Sequence, residues 1–155
     1  MVNNLSYAFI RGLLAEAGIK VVPDSDGSLL TVLKDNEDFG HKILIRYIVK
    51  DDWLHIVGQA SGYTVPPERR QDVLVALNLH NMNHPRCGGA LHDDTVMFKF
   101  SLLVDSPVSV DYVLENGIKA STNSIRSSFV EFDKFIKDID GNYKSFFLPV
   151  IGSKR

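Results

Sequence analysis

The chain holds one cysteine, Cys87, in 155 residues. An intrachain disulfide is therefore excluded, and a lone thiol suits a reducing compartment. Neither charge sign is in excess: 17 lysines and arginines face 19 aspartates and glutamates, a formal net charge of −2. Tight general binding of nucleic acid needs a concentrated positive field and is not expected from this balance. No apolar run approaches the ~20 residues that cross a bilayer. The opening Met1-Val2-Asn3-Asn4 lacks a basic segment leading into an apolar run, so no membrane partner and a cytoplasmic location are expected. Repeats, low-complexity tracts and a Pro/Gly/Ser linker are also missing. One domain over residues 1–155 follows, with its core between about 4 and 139 and a tail over 140–155.

What is present is an ordinary globular mixture, 45% hydrophobic and 23% charged. A domain of this length buries roughly 70% of its unfolded surface, so its fold requires no cofactor, and none is expected. Leu5, Ala8, Phe9, Gly12 and Leu13 place a stripe on a helix over about Asn4 to Ala17, with Asn4 as its cap and Gly18 as its stop. Pro23 to Gly27 has turn composition. Strand-like runs follow at Ser28 to Lys34, Ile43 to Lys50 and Trp53 to Ala60. Asp51-Asp52 predicts a hairpin, with a loop of two residues or longer because Asp-Asp suits a tight turn less well than Asn-Gly. Val65-Pro66-Pro67-Glu68 opens a second helix whose apolar side is Val73, Leu74, Leu77 and Met82, and Pro85 ends it.

A second hairpin is expected from Ala90–His92, a turn at Asp93-Asp94, and a long arm from Thr95 to Val104. That arm alternates Val96, Phe98, Phe100, Leu102 and Val104 against Met97, Lys99, Ser101 and Leu103. Ser109 caps a last helical region running to about Ile139, with Ala120 to Ser124 as the expected bend. The tail residues Phe146 to Ile151 would dock as an extended segment or meet a partner. The order α-β-β-β-α-β-β-α, with strands grouped as hairpins, predicts an α+β fold: an antiparallel sheet flanked by three helices.

The candidates for chemistry are sparse. His80, His84, Cys87 and His92 are good metal-ligand types. Their spacing, H-x3-H-x2-C-x4-H, matches no defined zinc pattern, and Pro85 argues against His80 and His84 sharing a helical face. The bland reading is a polar helix end followed by a turn. Asp51-Asp52 and Asp93-Asp94 read as solvated turns, since adjacent exposed carboxylates lack the contrasting environments that acid–base pairs need. Ser61 sits one place late for a nucleophile elbow, and Gly88-Gly89 lacks the rest of a phosphate loop. Lys42, Arg46, Lys50, Arg69, Arg70 and Arg86 are scattered among acids and read as solvated surface. Tyr47, Val49, Trp53 and Val57 are assigned to one side of the first hairpin. That side is either core or, where helices cover the opposite face, an exposed apolar patch of the kind that marks an interaction surface.

Three stretches carry a resemblance: Val65 to Arg70, the Asn-rich Ala76 to Asn83, and Gly89 to Phe98. Together they resemble the YbjN-like bacterial proteins, sometimes labelled candidate sensory transduction regulators, whose fold is similar to type III secretion chaperones. The resemblance spans about Lys20 to Ile139. It implies a compact α+β domain, commonly a homodimer, that binds other proteins and has no catalytic residues to carry over. The His-rich helix end and Phe-rich tail depart from the usual form. Asn78 and Asn81 read most simply as helix-end hydrogen-bonding groups.

The expectation is a non-enzymatic protein-binding module, chaperone-like or regulatory, with Tyr47, Trp53 and Val57 as contacts to an unidentified protein partner. The alternatives are a metal- or small-ligand-binding sensor at His80, His84, Cys87 and His92, and a structural subunit of a larger assembly.

Overall fold

Ser6 starts the first helix: its hydroxyl accepts from the Phe9 backbone N–H, ahead of α1 (Tyr7–Glu16). The cap is thus Ser6 rather than Asn4, and Ile10, Leu13 and Leu14 form the buried row. Gly18 takes φ +74, the left-handed geometry that suits glycine after a helix. The computed structural model describes residues 4–33, 39–84, 86–143 and 151.

Six strands form one antiparallel sheet in the order β1-β2-β3-β4-β6-β5. They are β1 (Val22–Pro23), β2 (Leu29–Leu33), β3 (Ile43–Lys50), β4 (Trp53–Thr64), β5 (Gly88–His92) and β6 (Thr95–Leu103). β1 is an addition to the expected set, and the far end of the β2 prediction, Lys34, lies outside the described residues. The β3–β4 loop is two residues, with Lys50 opposite Trp53. Asp51 takes φ 53 there, and Asp93 takes φ 54 in the β5–β6 turn. Aspartate tolerates this region better than most non-glycine residues.

Pro67–Arg69 forms a 3-10 turn that leads into α2 (Arg70–Asn83). His84 is the C-cap of α2, with φ −128 and ψ 82, and its N–H still donates to the His80 carbonyl. Pro85 lies outside the described residues. Ser109 caps a final helical run, as its pattern predicts: α3 (Val110–Tyr112), a π-helical segment (Val113–Lys119) and α4 (Ala120–Tyr143). The irregularity falls on Val113–Lys119 rather than on the polar stretch at 120–124. The Ser121 and Thr122 hydroxyls both donate to the Ile118 carbonyl, so these polar residues are satisfied within the helix.

The helices pack on one face of the sheet. Ile43, Ile45 and Tyr47 of β3, Leu54, Ile56 and Ala60 of β4, and Val96, Phe98, Phe100 and Leu102 of β6 are all buried there. Ile125, Phe129, Phe132 and Ile136 of α4 meet them, as the helical stripe predicts. Phe98 lies edge-on to Phe129, with ring centroids 4.8 Å apart, a favoured aromatic arrangement. Glycine sets the closeness: a Cβ on Gly89 would lie 2.7 Å from Leu77 of α2 and 2.5 Å from Phe98. Ile151 packs against this core, while the rest of the expected docking tail lies outside the described residues.

Candidate functional surfaces

The register decides which residues stand together. Cross-strand partners share a face. Lys50 pairs with Trp53, Ile48 with His55, and Arg46 with Val57. Trp53 then pairs with Leu103, His55 with Ser101, and Val57 with Lys99. These residues line the face opposite the helices, and none of them is buried. Trp53 and Leu103 are 39% and 40% exposed. The Trp53 and His55 rings stack, with centroids 5.8 Å apart. His55 Nδ1 lies 2.7 Å from Ser101 Oγ. Partial burial lowers the His55 pKa, and the Lys99 and Lys50 charges lower it further. Arg46 is engaged by Asp24 at 2.6 Å and by Asp26 at 3.8 Å. The surface is therefore apolar with a cationic component.

Tyr47 does not belong to it. Tyr47 pairs with Ile56 and is 1% exposed, and Val49 pairs with Leu54 on the same inner side. The correction follows from the two-residue turn. With Lys50 opposite Trp53, even-numbered residues of β3 share a face with odd-numbered residues of β4. Grouping Tyr47 with Trp53 crosses that parity. Tyr47 is instead a core phenol, hydrogen-bonded to Thr122, and burial pushes its pKa from 10.0 up to about 12. The fold favours the neutral form. That contribution is complete below about pH 10 and is lost as pH rises through about 12, a decline of roughly 3 kcal/mol. Denaturation at alkaline pH should show this decline and Tyr47→Phe should reduce it; an identical pH profile in the variant would refute the assignment.

A second apolar area lies on α2. Leu74 and Met82, assigned to its buried side, are 40% and 76% exposed, as are Val75 at 43% and Leu79 at 39%. The buried row is Val73, Ala76, Leu77 and His80. The α2 sequence is apolar over more than one face, so its pattern does not show which row is covered.

Of the four metal-ligand types, the fold brings two together and adds a third residue. His80 is fully buried, and its Nε2 lies 3.1 Å from the Cys87 carbonyl oxygen. A carbonyl only accepts, so Nε2 carries the hydrogen and Nδ1 keeps a lone pair. That Nδ1 is buried with no hydrogen-bond partner, a state that costs about 1–3 kcal/mol. Burial lowers the His80 pKa, with the Cys87 carbonyl opposing it. His84 stacks on His80, with ring centroids 4.5 Å apart, and its Nε2 is hydrogen-bonded to Glu131 of α4. Cys87 contributes its carbonyl here; its thiol is buried, which raises its pKa, and pairs with Ser128. His92 is exposed at the β5–β6 turn beside Asp93. Glu131 carries no motif in the sequence; only the α2–α4 packing delivers it.

The remaining candidates separate cleanly. Ser61 lies within β4, where its N–H donates to the Lys42 carbonyl, and not at a strand-to-helix turn. Arg69 is not solvated surface. It is 2% exposed and ion-paired with Asp72 at 3.0 Å and with Asp140. Asn81 reaches across to β5: its side chain donates to the Gly89 carbonyl at 3.0 Å and accepts from the Gly89 N–H at 2.8 Å. The amide thus occupies part of the outer edge of β5, where another strand would otherwise pair. The helix-end bond expected of Asn78 and Asn81 is made instead by Asn83, to the Leu79 carbonyl.

No family model and no curated protein matches the chain. Among solved structures it is similar to the crystal structure of YbjN from E. coli, described as a candidate transcription regulator, with a TM-score of 0.68 and 14% identity. The match covers 84% of this chain and 93% of that one. The two share an α+β fold, a six-stranded antiparallel sheet with helices. Among the described residues, no helix is long and apolar enough to cross a membrane.

Proposed function

We propose that the chain is a non-enzymatic protein-binding module, chaperone-like or regulatory, whose sheet face opposite the helices receives an acidic, amphipathic segment of a partner protein. The supporting observation is the composition of that face. Leu44, Ile48, Trp53, Val57, Met97 and Leu103 give it apolar area. Lys50 and Lys99 give it positive charge, and the acids nearest Arg46 are already spent on that arginine. Contiguous apolar surface framed by charge is how docking sites differ from ordinary surface.

The reading includes self-association through this face rather than through an edge. β1 is two residues long and contains Pro23, and Asn81 occupies part of the β5 edge. Both features oppose strand addition. Light scattering tests it; a Trp53→Ala variant that dimerises like the wild type would exclude this face from the contact.

The partner reading is tested with a crosslinked and identified partner segment. Trp53→Ala should weaken binding by roughly 30-fold, the scale of a tryptophan hot spot. Reversing Lys50 and Lys99 to glutamate should weaken it further and flatten its salt dependence. Met82→Asp on α2 is the counter-test. If it abolishes binding while Trp53→Ala retains every contact, the partner docks on α2 and the sheet-face reading is wrong.

A further inference from the structure

We propose that His80, His84 and Glu131 form a binding site for a divalent first-row transition metal, zinc in the first instance, that ties the C-terminal end of α2 to α4. The proposal is independent of the sheet-face reading. The ligand atoms of the three residues lie within 4.8 Å of one another. His80 is the fixed member. It is fully buried, its Nε2–H is held by the Cys87 carbonyl, and its Nδ1 has no hydrogen-bond partner. Metal-bound histidines characteristically donate their other ring N–H to a carbonyl or carboxylate, which orients the ring and directs the lone pair at the ion. Here that hydrogen bond is in place and leaves the Nδ1 lone pair unused, beside a second imidazole and a carboxylate.

His84 and Glu131 are the adjustable members. Their side chains are 35% and 27% exposed, and they are hydrogen-bonded to each other. Zinc bonds of about 2.0–2.2 Å to nitrogen and oxygen place tetrahedral ligands about 3.4 Å apart. The farthest of the three ligand atoms must therefore close in by about an ångström, while the hydrogen-bonded His84 and Glu131 atoms separate and the His84 ring turns out of its stack on His80, so that the lone pairs converge on the ion. The i, i+4 spacing of His80 and His84 is preserved because the His84 N–H still closes the last turn of α2 on the His80 carbonyl. Two imidazoles and one carboxylate favour zinc and its neighbours over calcium or magnesium, which prefer all-oxygen ligand sets. Three protein ligands leave a coordination position on the partly exposed side. Imidazole and carboxylate bind a metal ion only in their deprotonated forms, so affinity falls with acid.

The test uses untagged full-length protein, stripped with chelator and titrated with Zn2+ against a chromophoric competitor. One equivalent should bind with a Kd of about 10 µM or tighter, and the melting temperature should rise with free zinc. Co2+ in the same site should give visible d–d absorption. His84→Ala and Glu131→Gln, both at partly exposed positions, should each weaken zinc by about tenfold or more. His92→Ala, on a distant turn, should bind as the wild type does. Wild-type protein that is folded by circular dichroism yet binds less than one equivalent at about 100 µM zinc would overturn the proposal. So would wild-type affinity in either the His84 or the Glu131 variant.

Discussion

Replacing Gly58 with alanine is expected to destabilise the protein by about 2–3 kcal/mol, the upper range for overpacking a filled core. A Cβ on Gly58 would lie 2.3 Å from Ile125 Cγ2, with Ile45 and Ile43 at 3.4 and 3.5 Å. Ile125 and both β3 isoleucines are fully buried, so the contact cannot be relieved at the surface. Gly58 is what lets α4 lie directly on β4. Gly→Ala substitutions at compatible sites gain about 0.4–1 kcal/mol by restricting the unfolded chain, so Gly12→Ala is the control. Gly12 lies in α1 with nothing within 4 Å of its Cβ position, and that change should be neutral or stabilising. Denaturant midpoints measure both. If Gly58→Ala behaves like Gly12→Ala, α4 does not sit where the packing puts it. Combining Gly58→Ala with Ile125→Ala should cost less than the two changes added, because each relieves part of the other's defect.

The second large effect is expected at Arg69. Changing Asp72 and Asp140 together to asparagine should cost about 3–5 kcal/mol, because the guanidinium stays buried without those two counter-charges. Arg69→Met should cost considerably less. Asp72 and Asp140 are 24% and 45% exposed, against 2% for Arg69. Freed acids can turn to water, whereas a buried arginine cannot, and methionine fills much of the arginine's volume. The sign of this asymmetry is the test. If the arginine variant is the less stable of the two, packing of the side chain rather than its charge pairing holds the end of α4 against the start of α2.

Period-two alternation made β3 and β6 legible before any coordinates, because one buried face and one wet face leave a direct record in residue type. The Ser109 cap and the row Ile125, Phe129, Phe132 and Ile136 were legible for the same reason at helical period. Three other features were not. α2 is apolar on several sides, so Leu74 and Met82 looked equivalent to Val73 and Leu77. Arg69 looked like any surface arginine, since its carboxylate partners sit three and 71 residues away. The grouping of Tyr47 with Trp53 required knowing the β3–β4 register, and a register error of one residue exchanges the two faces.

The sequence alone therefore determined the elements apart from β1 and the π-helical segment, their order and the antiparallel hairpins, because these depend on neighbours within a few positions. It also excluded a disulfide and a strong cationic field. Only the tertiary structure decided which sheet face the helices cover, where Arg69 lies, and that Glu131 joins His80 and His84 in place of Cys87 and His92. Those outcomes depend on contacts between residues far apart in the chain, 47 positions for His84 and Glu131 and 71 for Arg69 and Asp140, and no local pattern encodes such a distance.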